Sequence, residues 1–131
     1  MENTNKKKIL IVDDDKFLVN MYSIKFKAAG FDVCSAFDGQ ETLNKLKDGL
    51  VPDVVMLDMI MPSMDGVEIL ARIRKENLVP KAKVVILSNQ NQPSDIERAK
   101  ALGISGYIVK ATTIPSEVVS EIQQILKESL Q

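Results

Sequence analysis

The sequence contains no histidine, and that one absence removes a great deal of chemistry. Without an imidazole there is no Ser-His-Asp or Cys-His relay, and no histidine-ligated zinc. The single cysteine, Cys34, cannot form an internal disulfide. With no base to activate it, Cys34 reads as a small apolar core residue, and a lone thiol fits a reducing compartment. Any metal must then be held by oxygen, which points to magnesium, calcium or manganese. Long apolar runs are missing too. The first, Ile9 to Val12, is too short for a signal-peptide core or a membrane span. Charge of one sign is also lacking, with 17 Lys and Arg against 18 Asp and Glu. Nothing in that balance draws the chain to nucleic acid or to an anionic membrane. The one basic run, Lys6-Lys7-Lys8, reads as part of a solvated leader, and residues 1–7 are expected to be disordered.

What is present fits one globular domain of 131 residues, 45% hydrophobic and 27% charged. Its centre is the stretch from Val54 to Gly66. Val54-Val55-Met56-Leu57 runs unbroken into Asp58, and Pro62, Asp65 and Gly66 follow. An apolar run of this kind reads as a strand covered on both faces, typical of the middle of a parallel sheet. Asp58 then stands at the carboxyl end of that strand, the edge where open α/β sheets bind ligands.

The rest of the chain alternates in the same way. Strands are expected at Lys8–Val12, Asp32–Ala36, Val54–Asp58, Lys83–Leu87 and Ser105–Val109. The first helix follows Asp15, with Leu18, Met21, Tyr22, Phe26 and Ala29 at helical spacing and Gly30 as its cap. Leu43, Leu46 and Leu50 stripe the second helix. Asp65 caps the third, with Val67, Leu70 and Ile73 inward. Asn89 to Ser94 reads as a polar loop before a fourth helix from about Asp95 to Leu102, whose apolar face is thin. Pro115 opens the last helix. Five βα units predict a parallel sheet with helices on both faces. The uniformly apolar first, third and fourth strands belong inside and the mixed second and fifth at the edges. That is the doubly wound order 2-1-3-4-5.

This order brings four strand ends to one crevice: Asp13 and Asp14 from the first strand, Asp58 from the third, Ser88 from the fourth and Lys110 after the fifth. Clustered carboxylates repel one another and raise each other's pKa, and a divalent cation relieves that repulsion. Such a site suits phosphoryl transfer, which asks of a protein mainly positioning and charge stabilisation. Asp58 is then an aspartyl nucleophile that forms an acyl phosphate, with Lys110 and the Ser88 hydroxyl on the phosphoryl oxygens. Each residue has a plainer reading by itself: an acidic helix cap, a loop aspartate, an uninformative serine, a surface lysine. Asp15 is assigned to capping. The coincidence of all four strand ends favours the site.

The residues Ile11-Val12-Asp13-Asp14, the segment from Asp58 to Gly66, Leu87-Ser88 and Gly106-Tyr107-Ile108-Val109-Lys110 resemble the receiver domain of bacterial two-component response regulators, over roughly Lys8 to Leu130. The resemblance implies a flavodoxin-like (βα)5 fold. It implies that Asp58 accepts a phosphoryl group from a histidine kinase or histidine phosphotransfer protein, whose histidine must lie on another chain. It implies magnesium held by Asp14, Asp58 and the main-chain carbonyl of Ile60, with Asp13 acting mainly through a metal-bound water. Lys110 would contact the phosphoryl group, and Ser88 with Tyr107 would report it to a face made by the fourth helix, fifth strand and fifth helix. A downstream effector or output domain is the implied partner, in the cytoplasm, without direct contact to nucleic acid or membrane. The chain would be a signalling switch that promotes its own phosphorylation and dephosphorylation, not an enzyme in the ordinary sense. It is either a single-domain regulator or the receiver piece of a longer protein.

One departure from the family stands out. Ala111 follows Lys110 where a proline after a cis bond is usual, so either a strained cis bond or a rearranged trans loop is expected. Three other readings compete. A pseudo-receiver would bind partners without phosphorylation, which the intact acidic pair, Asp58, Ser88 and Lys110 argue against. An aspartyl-phosphate hydrolase would need a second aspartate where Ile60 stands. A flavin-binding protein would need a phosphate cradle where Asp13-Asp14-Asp15 would repel one.

Overall fold

The computed structural model describes residues 6–62, 64–88, 93–110 and 113–128. In chain order the elements are β1 (Lys8–Val12), α1 (Lys16–Ala28), β2 (Asp32–Ala36), α2 (Gly39–Lys47), β3 (Val54–Asp58), α3 (Gly66–Lys75), β4 (Lys83–Ser88), α4 (Pro93–Ala101), β5 (Gly106–Val109) and α5 (Pro115–Glu128). The five strands pair in parallel in the order β2-β1-β3-β4-β5, as the apolar pattern of the strands requires.

Alternation along each strand divides the core into two layers. Ile9, Ile11, Val54, Met56, Val85, Leu87 and Ile108 face α1 and α5. Leu10, Val12, Val55, Leu57, Val84 and Ile86 face α2, α3 and α4. β3 is buried throughout, so nothing but its end reaches solvent. Aspartates cap the first three helices. Asp15 accepts hydrogen bonds from the amides of Phe17 (3.0 Å) and Leu18 (3.2 Å), as its assignment to capping requires. Asp38 caps α2, and Asp65 forms a capping box with Glu68 at α3.

Several details differ from the sequence reading. α4 opens at Pro93, inside the stretch read as loop, because a proline lacks the amide that a first helical turn leaves unpaired anyway. β5 starts at Gly106, not Ser105, although the Ser105 amide already bonds to the Val84 carbonyl at 2.7 Å. The buried face of α1 is Val19, Tyr22 and Phe26, while Ala29 is exposed and Leu18 and Met21 are half-buried. Leu50 lies beyond α2, half-buried against the core. Cys34 is half-buried on the edge strand β2, not enclosed in the core. Lys6 and Lys7 precede β1 without regular structure, and residues 1–5 of the expected leader lie outside the described residues. The Lys110–Ala111 bond also lies outside them. No helix among the described residues is long and apolar enough to cross a membrane.

Candidate functional site

The register of the sheet decides which side chains meet. Val12 pairs with Leu57, so Asp13 and Asp58 are the next residues out at the switch point between β1 and β3. Asp58 pairs with Leu87, and Ser88 with Val109, which puts Ser88 and Lys110 at the same edge. Here a crevice of about 300 Å³ is lined by Asp13, Asp14, Asp15, Leu18, Asp58, Ile60 and Lys110.

Asp13, Asp14 and Asp58 each offer a carboxylate oxygen within 4.8 Å of the others. Asp14 is exposed, whereas Asp13 and Asp58 are 3% and 6% exposed. Asp13 also accepts from the Asp15 amide at 2.9 Å, which fixes its carboxylate at the head of the loop. Lys110 Nζ lies between the two buried carboxylates, 2.8 Å from Asp13 Oδ2 and 3.3 Å from Asp58 Oδ1. One cation therefore serves two anions. Burial, with the Asp13 charge added, pushes the Asp58 carboxyl up to about 6, against the lowering pull of Lys110 and of a hydrogen bond from the Ile60 backbone. Burial by itself would lower Lys110, but its hydrogen bond to Asp13 and the Asp58 charge outweigh that and raise it. The ammonium is held charged, and the carboxylates stay short of full compensation.

Of the other expected residues, Ser88 alone stands at a strand end. Ser88 is buried at the end of β4, and Tyr107 is half-buried within β5 on the α2–α3–α4 side, in the core layer and not in the crevice. The Ile60 side chain is 59% exposed at the rim.

Two residues were missed as contributors. Tyr22 reads from its spacing as core. Burial raises its phenol, and the charges of Lys110, Asp13 and Asp58 act on it from close by. Gly66 reads as the start of α3, yet its amide donates to the Met59 carbonyl at 2.9 Å, tight against the end of β3. The glycine was the available signal, since a helix start does not otherwise demand one.

Residues 9–123 match the family described as the response regulator receiver domain. The chain belongs to that family. The receiver is 32% identical over 123 residues to the alkaline phosphatase synthesis transcriptional regulatory protein PhoP of Bacillus subtilis, covering 94% of this chain and 50% of PhoP. It is 31% identical over 127 residues to the DNA-binding response regulator MtrA of Mycobacterium tuberculosis, covering 97% of this chain and 54% of MtrA. It thus spans about half the length of the curated relatives it matches. Among solved structures, the Vibrio cholerae chemotaxis protein CheY4 superposes with a TM-score of 0.84 at 29% identity, covering 92% of this chain and 98% of CheY4. The beryllofluoride-activated receiver domain of DrrB superposes at 0.78 and 26% identity, covering 93% and 98%.

The raised Asp58 carboxyl links receiver stability to pH. The folded form holds this proton up to about pH 6, whereas an ordinary unfolded carboxyl releases it near 3.8. Stability is therefore full below pH 3.8 and falls as pH rises through 6, after which this contribution is flat. Asp58→Asn is expected to stabilise the metal-free receiver at pH 7.5 by on the order of 2 kcal/mol, and to have no such effect at pH 4. Urea unfolding of both proteins in chelator at the two pH values checks this. Equal stabilities at pH 7.5 would contradict it.

Proposed function

We propose that the chain is a phosphoacceptor switch in which Asp58 takes a phosphoryl group from a phosphohistidine on another protein. The observation that carries this reading is the meeting of Asp58, Asp13, Asp14 and Lys110 in one crevice. An Asp58 oxygen attacks phosphorus in line. The P–N bond to the donor imidazole breaks, a P–O bond forms, and the leaving imidazole takes a proton. The donor is a histidine kinase or phosphotransfer protein, since this chain has no histidine. Ile60, apolar, exposed and lining the crevice, gives such a partner a surface to rest on.

Three carboxylates converging within 4.8 Å, with no nitrogen or sulfur donor among them, fit a hard divalent cation. Magnesium is the natural choice, and Asp14, Asp58 and the Ile60 carbonyl would hold it directly, with Asp13 acting mainly through a metal-bound water. When bound, it supplies charge neutralisation at the phosphoryl oxygens. Lys110 turns from Asp13 and Asp58 to a phosphoryl oxygen. The Ser88 hydroxyl bonds the same group. With Tyr107 it passes the new charge, about -1.5 to -2, to the face built by α4, β5 and α5. PhoP and MtrA are named as transcriptional or DNA-binding regulators, and about half of each lies outside the match. In the same way the receiver acts on an effector, joined or separate, and does not itself touch nucleic acid. It works in the cytoplasm as a switch and not as a metabolic enzyme.

Intact mass after incubation with magnesium and a small acyl phosphate tests the reading. One phosphoryl adduct is expected on the wild type, and none on Asp58→Asn or in chelator. No adduct from either this donor or a phosphohistidine protein would overturn it and leave a partner-binding module.

A further inference from the structure

α4 is weakly held by apolar packing. Of its described side chains only Ala99 is buried, while Asp95 and Ile96 are half-buried and the others are exposed. A polar contact holds its far end instead. Arg74, in the last turn of α3, donates from Nε to the Leu102 carbonyl at 3.0 Å and from Nη2 to the Gly103 carbonyl at 2.6 Å. These carbonyls follow the last turn of α4, where a helix leaves acceptors unpaired and its dipole favours a cation. The planar fork of arginine satisfies two of them at once, which a lysine ammonium on its flexible stem cannot match. Gly103, at φ +86, closes the helix there. Its amide bonds back to Lys100 and that of Leu102 to Ala99, and two residues on the Ser105 amide bonds to Val84. Arg74 thus grips the corner where α4 ends and β5 begins.

The opposite end of α3 rests on the phosphoacceptor strand. Gly66 packs against the backbone of Asp58 and Met59, and the Asp65–Glu68 capping box fixes the first turn. α3 is ten residues long, a strut of about 15 Å between the end of β3 and the end of α4. Its buried residues Val67, Ile69, Leu70 and Ile73 anchor it along its length.

We propose that Arg74 is a positioning residue that pins the C-terminal end of α4 and the start of β5 to α3, so that α4 responds to loading of Asp58 at its Pro93 end alone. The response rests on the phosphoacceptor reading, whereas the pin itself does not. Without the fork the corner frays, and the response spreads along the whole helix.

Amide hydrogen exchange on the full chain tests this in wild type, Arg74→Lys and Arg74→Met, with and without magnesium and beryllofluoride as phosphoryl analogue. In the metal-free proteins both variants are expected to exchange the amides of Leu102, Gly103 and Ser105 about tenfold faster or more, with the buried β3 amides unchanged as a control for intact folding. In the wild type the analogue changes exchange at residues 94–98 and leaves 102–105 within about twofold, and in Arg74→Met the change reaches 102–105. Wild-type exchange at 102–105 in Arg74→Lys would overturn the pin, because the charge alone would then suffice. An analogue response as large at 102–105 as at 94–98 in the wild type would overturn the one-ended response. No analogue response anywhere in the wild type would overturn the phosphoacceptor reading and the response with it, and the metal-free comparison would still decide the pin.

Discussion

Gly66→Ala is expected to destabilise the protein by about 3 kcal/mol, the upper end of what overpacking a tight contact costs. A Cβ built on Gly66 would collide with the Asp58 carbonyl oxygen, and would lie 3.1 Å from both the Asp58 carbonyl carbon and the Met59 Cα. All of these are backbone atoms of the last residue of β3 and the residue after it, so no side chain can swing aside. Relief must come from moving α3, which drags Val67, Ile69, Leu70 and Ile73 out of register with the sheet. The same motion shifts the main chain under the Asp58 carboxylate, so phosphoryl uptake should slow along with the loss of stability. Gly106→Ala is the matched control. Its Cβ would come within 2.7 Å of Ile125 Cδ1, the far end of a flexible side chain, and the expected cost is under about 1 kcal/mol. Urea unfolding of the two variants checks the contrast. Equal costs would show that the close approach of α3 to the end of β3 does not set the cost.

Lys110→Met is expected to cost about 3 kcal/mol in chelator at pH 7.5, the scale of breaking a buried ion pair from one side. Asp13 and Asp58 then face each other with no cation between them. The pH dependence separates this from lost packing. The Lys110 ammonium is favoured in the folded state, so its contribution is present below an ordinary lysine pKa of 10.5 and is lost only as pH rises through its raised value. Within the neutral range, variation with pH must therefore come from the carboxylates. Protonating Asp58 removes one of the two opposed charges, so the deficit of the variant should shrink steadily as pH falls toward 4. Magnesium should restore part of it at pH 7.5, since a divalent cation answers the same need. Phosphoryl uptake should drop by about 100-fold, as when a charge-stabilising donor is removed from a transfer site. A deficit that is flat from pH 4 to 8 and indifferent to magnesium would mean that Lys110 contributes its methylenes and not its charge.

The strand order was legible because burial on two faces writes itself into sequence. β1, β3 and β4 carry apolar residues without a break, and β2 does not. The candidate-site residues were legible for a related reason: Asp13, Asp58, Ser88 and Lys110 each stand where an apolar run stops. What lay beyond reach was set by tertiary contact. The spacing of α1 pointed to Leu18 and Met21 and passed over Val19, which the packing of α1 in the fold buries instead. Lys110 could be assigned to the crevice, but not to a position bridging Asp13 and Asp58, because that depends on how far β5 projects beside β4. Arg74 is one of three basic residues in the last turn of α3, and nothing local marks it out. Its two acceptors lie 28 and 29 residues further along the chain, with β4 and α4 between.

The Asp13–Lys110 contact joins residues 97 positions apart, the two ends of the alternating chain. Synthesis runs from the amino end, so Asp13 and Asp58 are made, and β1 and β3 can pair, well before Lys110 exists. Until then the two acids have no ammonium between them, and contacts of such long range are the slowest to form. Completion of the crevice therefore reports arrival of the last strand. A copy truncated before β5 lacks the ammonium that lies between Asp13 and Asp58.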